Sequence, residues 1–415
     1  MKLKNLDSVK NLIQKIQSGH RVFIQGGAGT PNVLIDELVA QANRLKDVEL
    51  IHLHTIGPAR YAEPSFKQNF RVANLFVGEN LRSSVDYDQV DYLPCFLSEI
   101  PQLFRSKRRP LNVSLVHLSP PDDHGYCTLG TSVDVTKAAI ENSDLVLAQI
   151  NQQMPRVHGD GFVHINDIDG FVEVDVPIPE SKTRSLRPEE IAIGSHAAKI
   201  IEDGATLQVG IGTIPDAIVA ALSSHKNLGI HSELWSDGVL SLIKKGVVDN
   251  SKKTVHPGKT VSGFVVGSRA LYDFIHDNPS VIQLGIDYVN NPLIIARNPR
   301  VTAINSAVEI DLSGQVCADS LGSRIISGVG GQMDFIRGAS LSQGGKPIIA
   351  ITSQTGKGIS RIVSHLKPGA GVVTTRAHVH YVISEYGTAD LYGKTLRERA
   401  QEMIRIAHPR HRENL

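Results

Sequence analysis

The chain has 415 residues, and its 43 Lys and Arg nearly balance 42 Asp and Glu, giving a formal net charge of +1. This length allows two domains, each with its own hydrophobic core. The balanced charge gives no reason to expect binding to nucleic acid or to an anionic membrane. The three cysteines, Cys95, Cys127 and Cys317, form no CxxC pair. This spacing argues against a zinc site or a disulfide framework and favours a reducing compartment. No segment approaches the ~20 apolar residues of a membrane span, so we expect a cytoplasmic protein.

The chain begins with a module made of a helix, a strand, a glycine turn and a second helix. The first helix is predicted within residues 1–19, where the pattern is charged and amphipathic rather than that of a signal peptide. A strand follows at 21–24, and the turn QGGAGTP occupies 25–31. Glycines let the backbone approach a ligand closely. The next helix has apolar residues at helical spacing, namely Leu34, Ile35, Leu38 and Val39.

The same module returns in the second half of the chain. A helix ends at Gly204, a strand spans 206–209, and the turn GIGTIP at 210–215 opens another helix. The next strands also correspond, at 51–55 in the first copy and 228–232 in the second. A duplicated α/β domain is the simplest explanation, although two unrelated strand–helix units could resemble each other by chance.

Eight further strands are predicted from short apolar, β-branched runs: 111–118, 145–150, 261–266, 281–284, 301–304, 347–351, 372–375 and 381–384. Alternation of such strands with helices predicts the α/β class, with largely parallel sheets. A segment rich in proline and charge at 176–188 suggests a boundary between domains at 1–183 and 184–415. We expect the two similar domains to face each other across an active-site cleft.

Glu233 occupies the most informative position in the chain. An apolar run in LGIHSELWSDG at 228–238 ends in polar residues, and a helical pattern follows. Glu233 is therefore predicted where a strand gives way to a helix, at the edge of the sheet where ligands bind. A helix N-terminus favours an ionised carboxylate, which can act as a nucleophile or as a base. The alternative is that Glu233 only caps the helix.

Two glycine segments are candidate ligand loops. The turn containing Gly210 and Gly212 does not fit GxGxxG, so it either binds phosphate through backbone amides or only allows close packing. Three glycines in SGVGGQ at 327–332 expose N–H groups that could bind an oxyanion or a pyrophosphate, or they form a plain connecting loop. Asn305 follows the predicted strand 301–304 and is a further candidate polar donor. No GxSxG elbow is present, and the histidine spacing gives no metal triad.

Several motifs together resemble the family I coenzyme A transferases, within them the acetyl-CoA hydrolase/transferase group that includes 4-hydroxybutyrate CoA-transferases. The resemblance runs nearly end to end, and the motifs occur in the right order. They are VFIQGGA at 22–28, HLHTIGP at 52–58, FLSEIP at 96–101, NQQMPR at 151–156, GIGTIPD at 210–216, HSELWSDG at 231–238 and GGQMDF at 330–335.

The resemblance assigns expected roles to particular residues. Glu233 matches the glutamate that such enzymes use as the covalent nucleophile. The residues expected to contact CoA, the acyl group or the thioester oxygen are Gln208, Gly210, Gly212, Asn305, Gly330, Gly331 and Gln332. The residues expected near the acyl pocket are His54, Thr55, Gly57 and Trp235. Thr55 stands where related enzymes often have an acidic residue, and Trp235 where a smaller apolar residue is common, so the acid specificity stays open.

The resemblance also implies a reaction. CoA would move between a short-chain acyl-CoA and a carboxylate, such as acetyl-CoA with 4-hydroxybutyrate or butyrate, through a covalent glutamyl-CoA thioester. CoA or acyl-CoA would be a substrate, with no permanently bound cofactor or metal, and we expect a homodimer or higher homo-oligomer. Three alternatives remain: an acyl-CoA hydrolase using the same glutamate, a dinucleotide-binding oxidoreductase, and a noncatalytic ligand-binding module.

Overall fold

The structure is a computed structural model that describes residues 8–181 and 184–415. The helices are α1 (Val9–Gln14), α2 (Asn32–Ala40), α3 (Ile100–Arg105), α4 (Thr136–Asn142), α5 (Pro188–Ile200), α6 (Thr213–Ala221), α7 (Asp237–Lys244), α8 (Arg269–Ile275), α9 (Ile286–Val289), α10 (Pro292–Ile295), α11 (Gln332–Leu341) and α12 (Leu396–Ile406). The predicted helix within 1–19 is thus confirmed for its central part, and its first seven residues lie outside the described residues.

The strands are short, and most follow the predicted apolar runs. They are β1 (Arg21–Ile24), β2 (Val48–His52), β3 (Phe70–Asn74), β4 (Val90–Tyr92), β5 (Leu111–Leu118), β6 (Tyr126–Thr128), β7 (Ser143–Asn151), β8 (His158–Gly159), β9 (Phe162–His164), β10 (Gly170–Val174), β11 (Thr206–Val209), β12 (Gly229–Ile230), β13 (Leu234–Trp235), β14 (Thr260–Ser262), β15 (Phe264–Val265), β16 (Val281–Gln283), β17 (Thr302–Ser306), β18 (Glu309–Asp311), β19 (Val316–Cys317), β20 (Ser320–Leu321), β21 (Arg324–Ile325), β22 (Lys346–Ala350), β23 (Ile362–Val363), β24 (Tyr381–Ser384) and β25 (Gly387–Asp390).

The chain forms two compact units, and each unit is made of separate segments of the sequence. The first unit contains the described residues up to Ser181 together with Gly263–Asp287 and Ile326–Gly328. The second contains the described residues from 184 to Ser262, Tyr288–Ile325 and Val329–Leu415. Two segments of the second half of the chain therefore pack with the first unit. The division into domains 1–183 and 184–415, with a cleft between them, stays a prediction.

The first unit is built on a parallel sheet of seven strands in the order β10-β7-β5-β1-β2-β3-β4. Its central strands β1 and β5 are almost completely buried, as strands covered on both faces must be. Helix α2 buries Leu34, Ile35, Leu38 and Val39, the face predicted from the sequence.

The second unit repeats this arrangement around β11. Its sheet runs β13-β11-β17-β22-β24-β25, with β12 also paired to β11. The pairings of β11 with β12 and β17, and of β22 with β17 and β24, are parallel. Those of β13 and β25 with their neighbours are antiparallel. Strand β11 thus lies between β12 and β17 as β1 lies between β2 and β5. The predicted α/β class with two similar, largely parallel sheets is confirmed.

Four predicted strands differ from the structure, and of these 51–55 and 228–232 share only two residues each with β2 and β12. Segment 372–375 is irregular: only Thr374 bridges Val316, after a turn in which Gly369 has a φ of +80°. Segment 261–266 is divided into β14 and β15, which belong to different units. Residues 261–266 are all buried, as their apolar pattern predicts, whereas in 372–375 only Val373 and Thr374 are buried. Glycines or a change of unit interrupt the ladder of hydrogen bonds in these two segments.

Buried neutral histidines predict a loss of stability in acid. Burial lowers the pKa of His52 to about 4 and those of His117 and His231 to about 3. In the unfolded chain these groups titrate near a pKa of about 6.5, so the unfolded state binds more protons as the pH falls below that value. Each histidine should then lower the free energy of unfolding by up to about 1.4 kcal/mol for each pH unit below that value.

We therefore expect the stabilisation that depends on these neutral histidines to be fully present above about pH 6.5, and the free energy of unfolding to fall steadily from there towards pH 4. Urea unfolding measured at pH 7.5, 6 and 5 checks this. Equal unfolding free energies at the three pH values would contradict it.

Candidate active site

Glu233 lies at the carboxyl edge of the second sheet. It occupies a bend between β12 and β13. Leu234 of β13 pairs antiparallel with Val209, the last residue of β11. Glu233 precedes Leu234, so it lies level with Gly210, just beyond the end of β11. This is the edge at which open α/β sheets bind ligands.

The local structure around Glu233 differs in one respect from the prediction. The strand does not lead straight into a helix, because β13 intervenes and α7 begins only at Asp237. The residue at the N-cap of α7 is Ser236, so Glu233 does not cap that helix. The helix start that it approaches is that of α11, whose N-cap is Gly331.

Glu233 is in close contact with Asn290 and Gly331. The side-chain nitrogen Nδ2 of Asn290 donates to Oε2 of Glu233 over 3.3 Å and to Oδ2 of Asp334 over 3.3 Å. A Cβ added to Gly331 would lie 2.1 Å from Oε2 of Glu233 and 2.2 Å from Nδ2 of Asn290. Only glycine allows the carboxylate and the amide to come this close. The positive end of the ten-residue helix α11 favours the anionic form of Glu233.

Two amide side chains beside this carboxylate retain unused polar atoms. Asn290 is fully buried, and its Oδ1 has no hydrogen-bond partner among the described residues. Gln332, the first residue of α11, is buried, and within the described chain its Nε2 is likewise without a partner. A buried donor without a partner is costly.

A buried lysine supports the strand that leads to Glu233. The ammonium nitrogen Nζ of Lys253 donates to the carbonyl oxygens of Ile230 (2.7 Å) and Lys259 (2.6 Å). Burial lowers the pKa of Lys253 to about 7. The aliphatic part of the Lys253 side chain packs over Gly229, where an added Cβ would lie 2.6 Å from Cγ of Lys253.

His231 connects the same strand to the segment that carries Asn290. Its Nε2 lies 2.8 Å from the carbonyl oxygen of Val289. Burial, followed by the nearby charge of Lys253, lowers the pKa of His231 to about 3, so the ring is neutral and donates this hydrogen bond. The hydrogen bond between His231 and Val289 therefore holds together the two segments that carry Glu233 and Asn290.

Removing the Asn290 amide should slow turnover without abolishing it. The Asn290→Ala variant loses one hydrogen bond to Glu233, and a hydrogen bond to a charged group contributes about 1.5 kcal/mol or more. We expect kcat to fall about tenfold, since 1.4 kcal/mol corresponds to about tenfold in rate. Steady-state kinetics beside a melting curve check this result. An unchanged kcat would contradict a role of Asn290 at the reacting carboxylate.

The predicted residues Gln208 and Asn305 contact each other. Nδ2 of Asn305 donates to Oε1 of Gln208 over 2.9 Å, from the neighbouring strand β17 to β11. Gln208 is buried and Asn305 is partly exposed at the carboxyl end of β17. Gly210 follows β11, and Gly212 is the exposed N-cap of α6 with a φ of +119°. These four residues occupy the same sheet edge as Glu233.

The predicted acyl-pocket residues His54, Thr55 and Gly57 form one cluster in the first unit. Nδ2 of Asn80 donates to the side-chain oxygen of Thr55 (3.2 Å) and to the carbonyl oxygen of Gly57 (3.0 Å). The ring of His54 packs against Phe76 with ring centroids 6.0 Å apart.

The remaining predicted acyl-pocket residue, Trp235, belongs to the second unit. Its side chain is fully buried, and Nε1 donates to the hydroxyl of Ser262 over 3.2 Å. These contacts give Trp235 a role in packing β13. A contribution to the acyl pocket stays a prediction.

The first glycine turn supports the backbone around it. The N–H of Gly27 donates to the carbonyl oxygen of His54 over 2.9 Å, and the Thr30 hydroxyl donates to the carbonyl oxygen of Gly27 over 2.7 Å. A Cβ on Gly26 would lie 3.0 Å from the carbonyl oxygen of His54. Close packing therefore accounts for these glycines.

Neither a metal cluster nor a membrane-crossing helix is found in the part of the chain that the structure describes. No group of three or more His, Cys, Asp or Glu side chains there could hold a metal ion. No described helix is both long enough and apolar enough to cross a bilayer.

An ionisable carboxylate at the carboxyl edge of a parallel sheet, beside amide donors and a helix N-terminus, defines an α/β enzyme site suited to acyl chemistry. Comparison with known proteins identifies the family. The acetyl-CoA hydrolase/transferase N-terminal domain matches residues 2–180, and the C-terminal domain of the same family matches 267–415.

Similar proteins cover nearly the whole chain. The 4-hydroxybutyrate coenzyme A transferase of Clostridium kluyveri is 49% identical over 99% of this chain and 96% of its own. The succinyl-CoA:acetate/propanoyl-CoA:succinate CoA transferase of Fasciola hepatica is 50% identical over 96% of this chain and 84% of its own. The crystal structure of RipA from Yersinia pestis has a TM-score of 0.95 at 31% identity and covers 100% of this chain and 98% of its own.

The chain belongs to the acetyl-CoA hydrolase/transferase family and is an enzyme of that family. The resemblance to coenzyme A transferases predicted from its motifs is confirmed. These relatives give no support to the oxidoreductase or to the noncatalytic binding module.

Proposed function

We propose that this protein transfers CoA between a short-chain acyl-CoA and a carboxylate, with acetyl-CoA and 4-hydroxybutyrate or butyrate as the pair, through a covalent thioester on Glu233. The observation that carries the proposal is the contact of the Glu233 carboxylate with Asn290 and with Gly331 at the start of α11. The similarity to the 4-hydroxybutyrate coenzyme A transferase of Clostridium kluyveri supports this acid pair.

The reaction proceeds in two halves. An oxygen of Glu233 attacks the thioester carbonyl carbon and releases CoA thiolate, leaving an acyl-glutamyl anhydride. The thiolate then attacks the glutamyl carbonyl carbon of the anhydride and releases the first carboxylate, which leaves the glutamyl-CoA thioester. An acceptor carboxylate reverses both steps. One thioester is exchanged for another, so the overall free energy change is small and no nucleoside triphosphate is consumed.

The groups around Glu233 have distinct tasks in this reaction. Each attack creates a negative oxygen, and preorganised donors stabilise such an oxygen strongly. We assign this role to the side-chain nitrogen of Asn290, which contacts Glu233, and to that of Gln332, which follows Gly331 and has no partner among the described residues. Gly330 and Gly331 keep the loop free of side chains at the reacting carbons.

The other predicted residues form the binding surface. Gln208, Gly210, Gly212 and Asn305 lie at the carboxyl edge of the sheet and bind the CoA and acyl chain. His54, Thr55, Gly57 and Trp235 set the size and polarity of the acyl pocket. The similarity to a succinyl-CoA:acetate/propanoyl-CoA:succinate enzyme is consistent with specificity set by such pocket residues rather than by Glu233.

Coenzyme A acts here as a substrate, with no permanently bound cofactor. The protein works in the cytoplasm as a homodimer or higher homo-oligomer. None of the three cysteines forms a disulfide in the described part of the chain, and Cys127 and Cys317 are buried, which suits a reducing compartment. Hydrolysis is the second candidate, because the family includes both activities. Release of acetate from acetyl-CoA at the transfer rate, without an acceptor acid, would favour hydrolysis.

Intact-protein mass spectrometry tests the proposal. Wild type and Glu233→Ala are incubated with acetyl-CoA, and part of each sample is reduced with borohydride, which converts a glutamyl thioester to an alcohol. We expect a CoA adduct on wild type that maps to Glu233 and disappears when butyrate is added, and none on the variant. Turnover of wild type without any adduct or reduced glutamate would overturn the covalent mechanism.

A further inference from the structure

We propose that Asp334 is a positioning residue, which fixes the end of the Asn290 amide that faces Glu233 through the whole reaction cycle. The inference rests on the proposed function, because it assigns a further task within the same site. Asp334 is the fifth residue of the motif GGQMDF at 330–335. The three side chains all belong to the second unit.

One nitrogen atom bridges two carboxylates in this site. Nδ2 of Asn290 donates to Oε2 of Glu233 over 3.3 Å and to Oδ2 of Asp334 over 3.3 Å. A side-chain amide has two N–H donors, and these two contacts use both of them. The amide oxygen Oδ1 has no hydrogen-bond partner among the described residues. Asn290 therefore directs its donors to the two acids and its acceptor to neither.

The two acids together determine the orientation of the amide. The nitrogen and the oxygen of an amide are similar in size, so the hydrogen bonds rather than the packing distinguish its two orientations. In the reversed orientation Oδ1 would face an oxygen of each carboxylate, with no hydrogen between them. Asn290 and Asp334 are both buried, and repulsion between such groups is strong where the local dielectric constant is low. One orientation of Asn290 is therefore strongly favoured.

Asp334 is needed because Glu233 loses its charge during the proposed reaction. In the resting enzyme the ionised Glu233 also favours the observed orientation. In the anhydride and in the thioester the glutamyl group is neutral, and a neutral carbonyl is a weaker acceptor than a carboxylate. Asp334 keeps its charge, since it lies in the first turn of α11, where a helix favours an anion. It is the partner that holds Nδ2 towards the reacting group in every state.

The fold places Asp334 and Asn290 opposite each other. Gly338 lies four residues beyond Asp334 in α11, and residues at this spacing share one face of a helix. A Cβ added to Gly338 would lie 2.5 Å from Cγ2 of Ile295, so α10 packs directly on this face. Asn291 is the N-cap of α10, and Asn290 precedes it. The close packing of α10 on α11 thus sets the contact between the amide and the carboxylate.

The alternative is that Asp334 only stabilises the start of α11. A residue with that role would affect the melting temperature, and its effect on catalysis would not depend on Asn290. A positioning residue would affect catalysis through Asn290 and most strongly once Glu233 is acylated. These two differences can be measured.

The variant Asp334→Asn removes the charge and keeps the size of the side chain. An asparagine here can accept from Nδ2 of Asn290 or donate to its Oδ1, so both orientations of the amide become available. Hydrogen bonds to charged groups are stronger than neutral ones, so we expect kcat for transfer from acetyl-CoA to butyrate to fall about fivefold. We expect KM for acetyl-CoA to stay within about twofold of wild type, because the contact acts on the chemical steps.

Two further variants support this comparison. Asp36→Asn removes an exposed carboxylate of α2 in the first unit and should match wild type. Asp334→Ser is the second replacement at the site, used where Asp334→Asn does not fold. Its hydroxyl carries no charge and both donates and accepts, so the same loss of kcat is expected.

A double-mutant cycle with Asn290→Ala tests whether Asp334 acts through Asn290. If it does, adding Asp334→Asn to Asn290→Ala should change kcat by less than about twofold, because the two losses are not independent. Intact-protein mass gives a second readout. Asp334→Asn should carry a larger fraction of CoA adduct at steady state than wild type, since release from the neutral thioester is slowed more than loading.

The results separate this inference from the proposed reaction. If wild type hydrolyses acetyl-CoA but transfers CoA to no acid, the proposed transfer fails, and the same cycle measured on hydrolysis still decides the role of Asp334. A wild-type kcat in Asp334→Asn would overturn that role. Losses that multiply in the double variant would overturn it too, as would an adduct fraction no larger than that of a wild type that forms the adduct.

Discussion

The Glu233→Gln variant should lose at least about 10⁴-fold in kcat, the scale observed when a catalytic nucleophile or its direct partner is removed. Glutamine has the same shape as glutamate, and its amide can still contact Asn290, so the fold should be retained. Its amide oxygen, however, cannot form the anhydride on which both half-reactions depend. The measurement is the initial rate of CoA transfer from acetyl-CoA to butyrate. The enzyme concentration is set high enough for the expected low rate of the variant to be detected.

A second Glu→Gln variant, made far from the site, serves as the control for the loss of one negative charge. Glu413 is exposed near the end of the chain, and Glu413→Gln removes the same charge without touching the site. Its rate should equal that of wild type, and both variants should melt within a few degrees of wild type. A Glu233→Gln variant that keeps more than a tenth of wild-type kcat would contradict nucleophilic catalysis by Glu233.

Much of the fold can be predicted from the sequence, because parallel strands buried on both faces appear as plain apolar runs. The predicted bounds 21–24, 111–118, 206–209 and 381–384 match β1, β5, β11 and β24. The repeated helix–strand–turn module predicted the equivalent positions of β1 and β11. These elements are local, so their patterns suffice.

Elements whose partners are distant in sequence are harder to predict. Gly263–Asp287 packs with the first unit, which no local pattern indicates. Strand β13 has two residues, too short for its alternation to be recognised. Its antiparallel pairing with β11 is nevertheless what places Glu233 at the sheet edge.

The sequence motifs point to Glu233 and Gly331 as site residues but give no signal for Asn290. Glu233 and Gly331 were singled out from motifs, and the structure places them in contact. Asn290 was missed, because it follows the four-residue helix α9 and no motif precedes it. Its only sequence signal is an Asn-Asn-Pro run that reads as a turn. The meeting of these residues depends on tertiary packing, not on spacing in the chain.

Adding a single methyl group at Gly331 should damage catalysis while sparing the fold. The backbone there has a φ of −98°, which alanine adopts without strain, so Gly331→Ala is not limited by conformation. The new Cβ would instead lie 2.1 Å from Oε2 of Glu233 and 2.2 Å from Nδ2 of Asn290. Both side chains must move by roughly 1 Å, and a displacement of that size can cost about 10²-fold in rate. We therefore expect kcat to fall about 10²-fold, with a melting temperature near that of wild type.

The control lies on the same helix. Arg337 is exposed in α11, and Arg337→Ala changes helix composition without approaching Glu233, so it should keep wild-type kcat. Because the methyl group displaces the nucleophile rather than removing it, the adduct on Glu233 should still form in Gly331→Ala, only more slowly, in stopped samples analysed by mass. If Gly331→Ala turned over at the wild-type rate, the close approach of Glu233 to the start of α11 would have no part in catalysis. The helix N-terminus would then be a packing feature, and stabilisation of the reacting oxygens would rest on Asn290 and Gln332 alone.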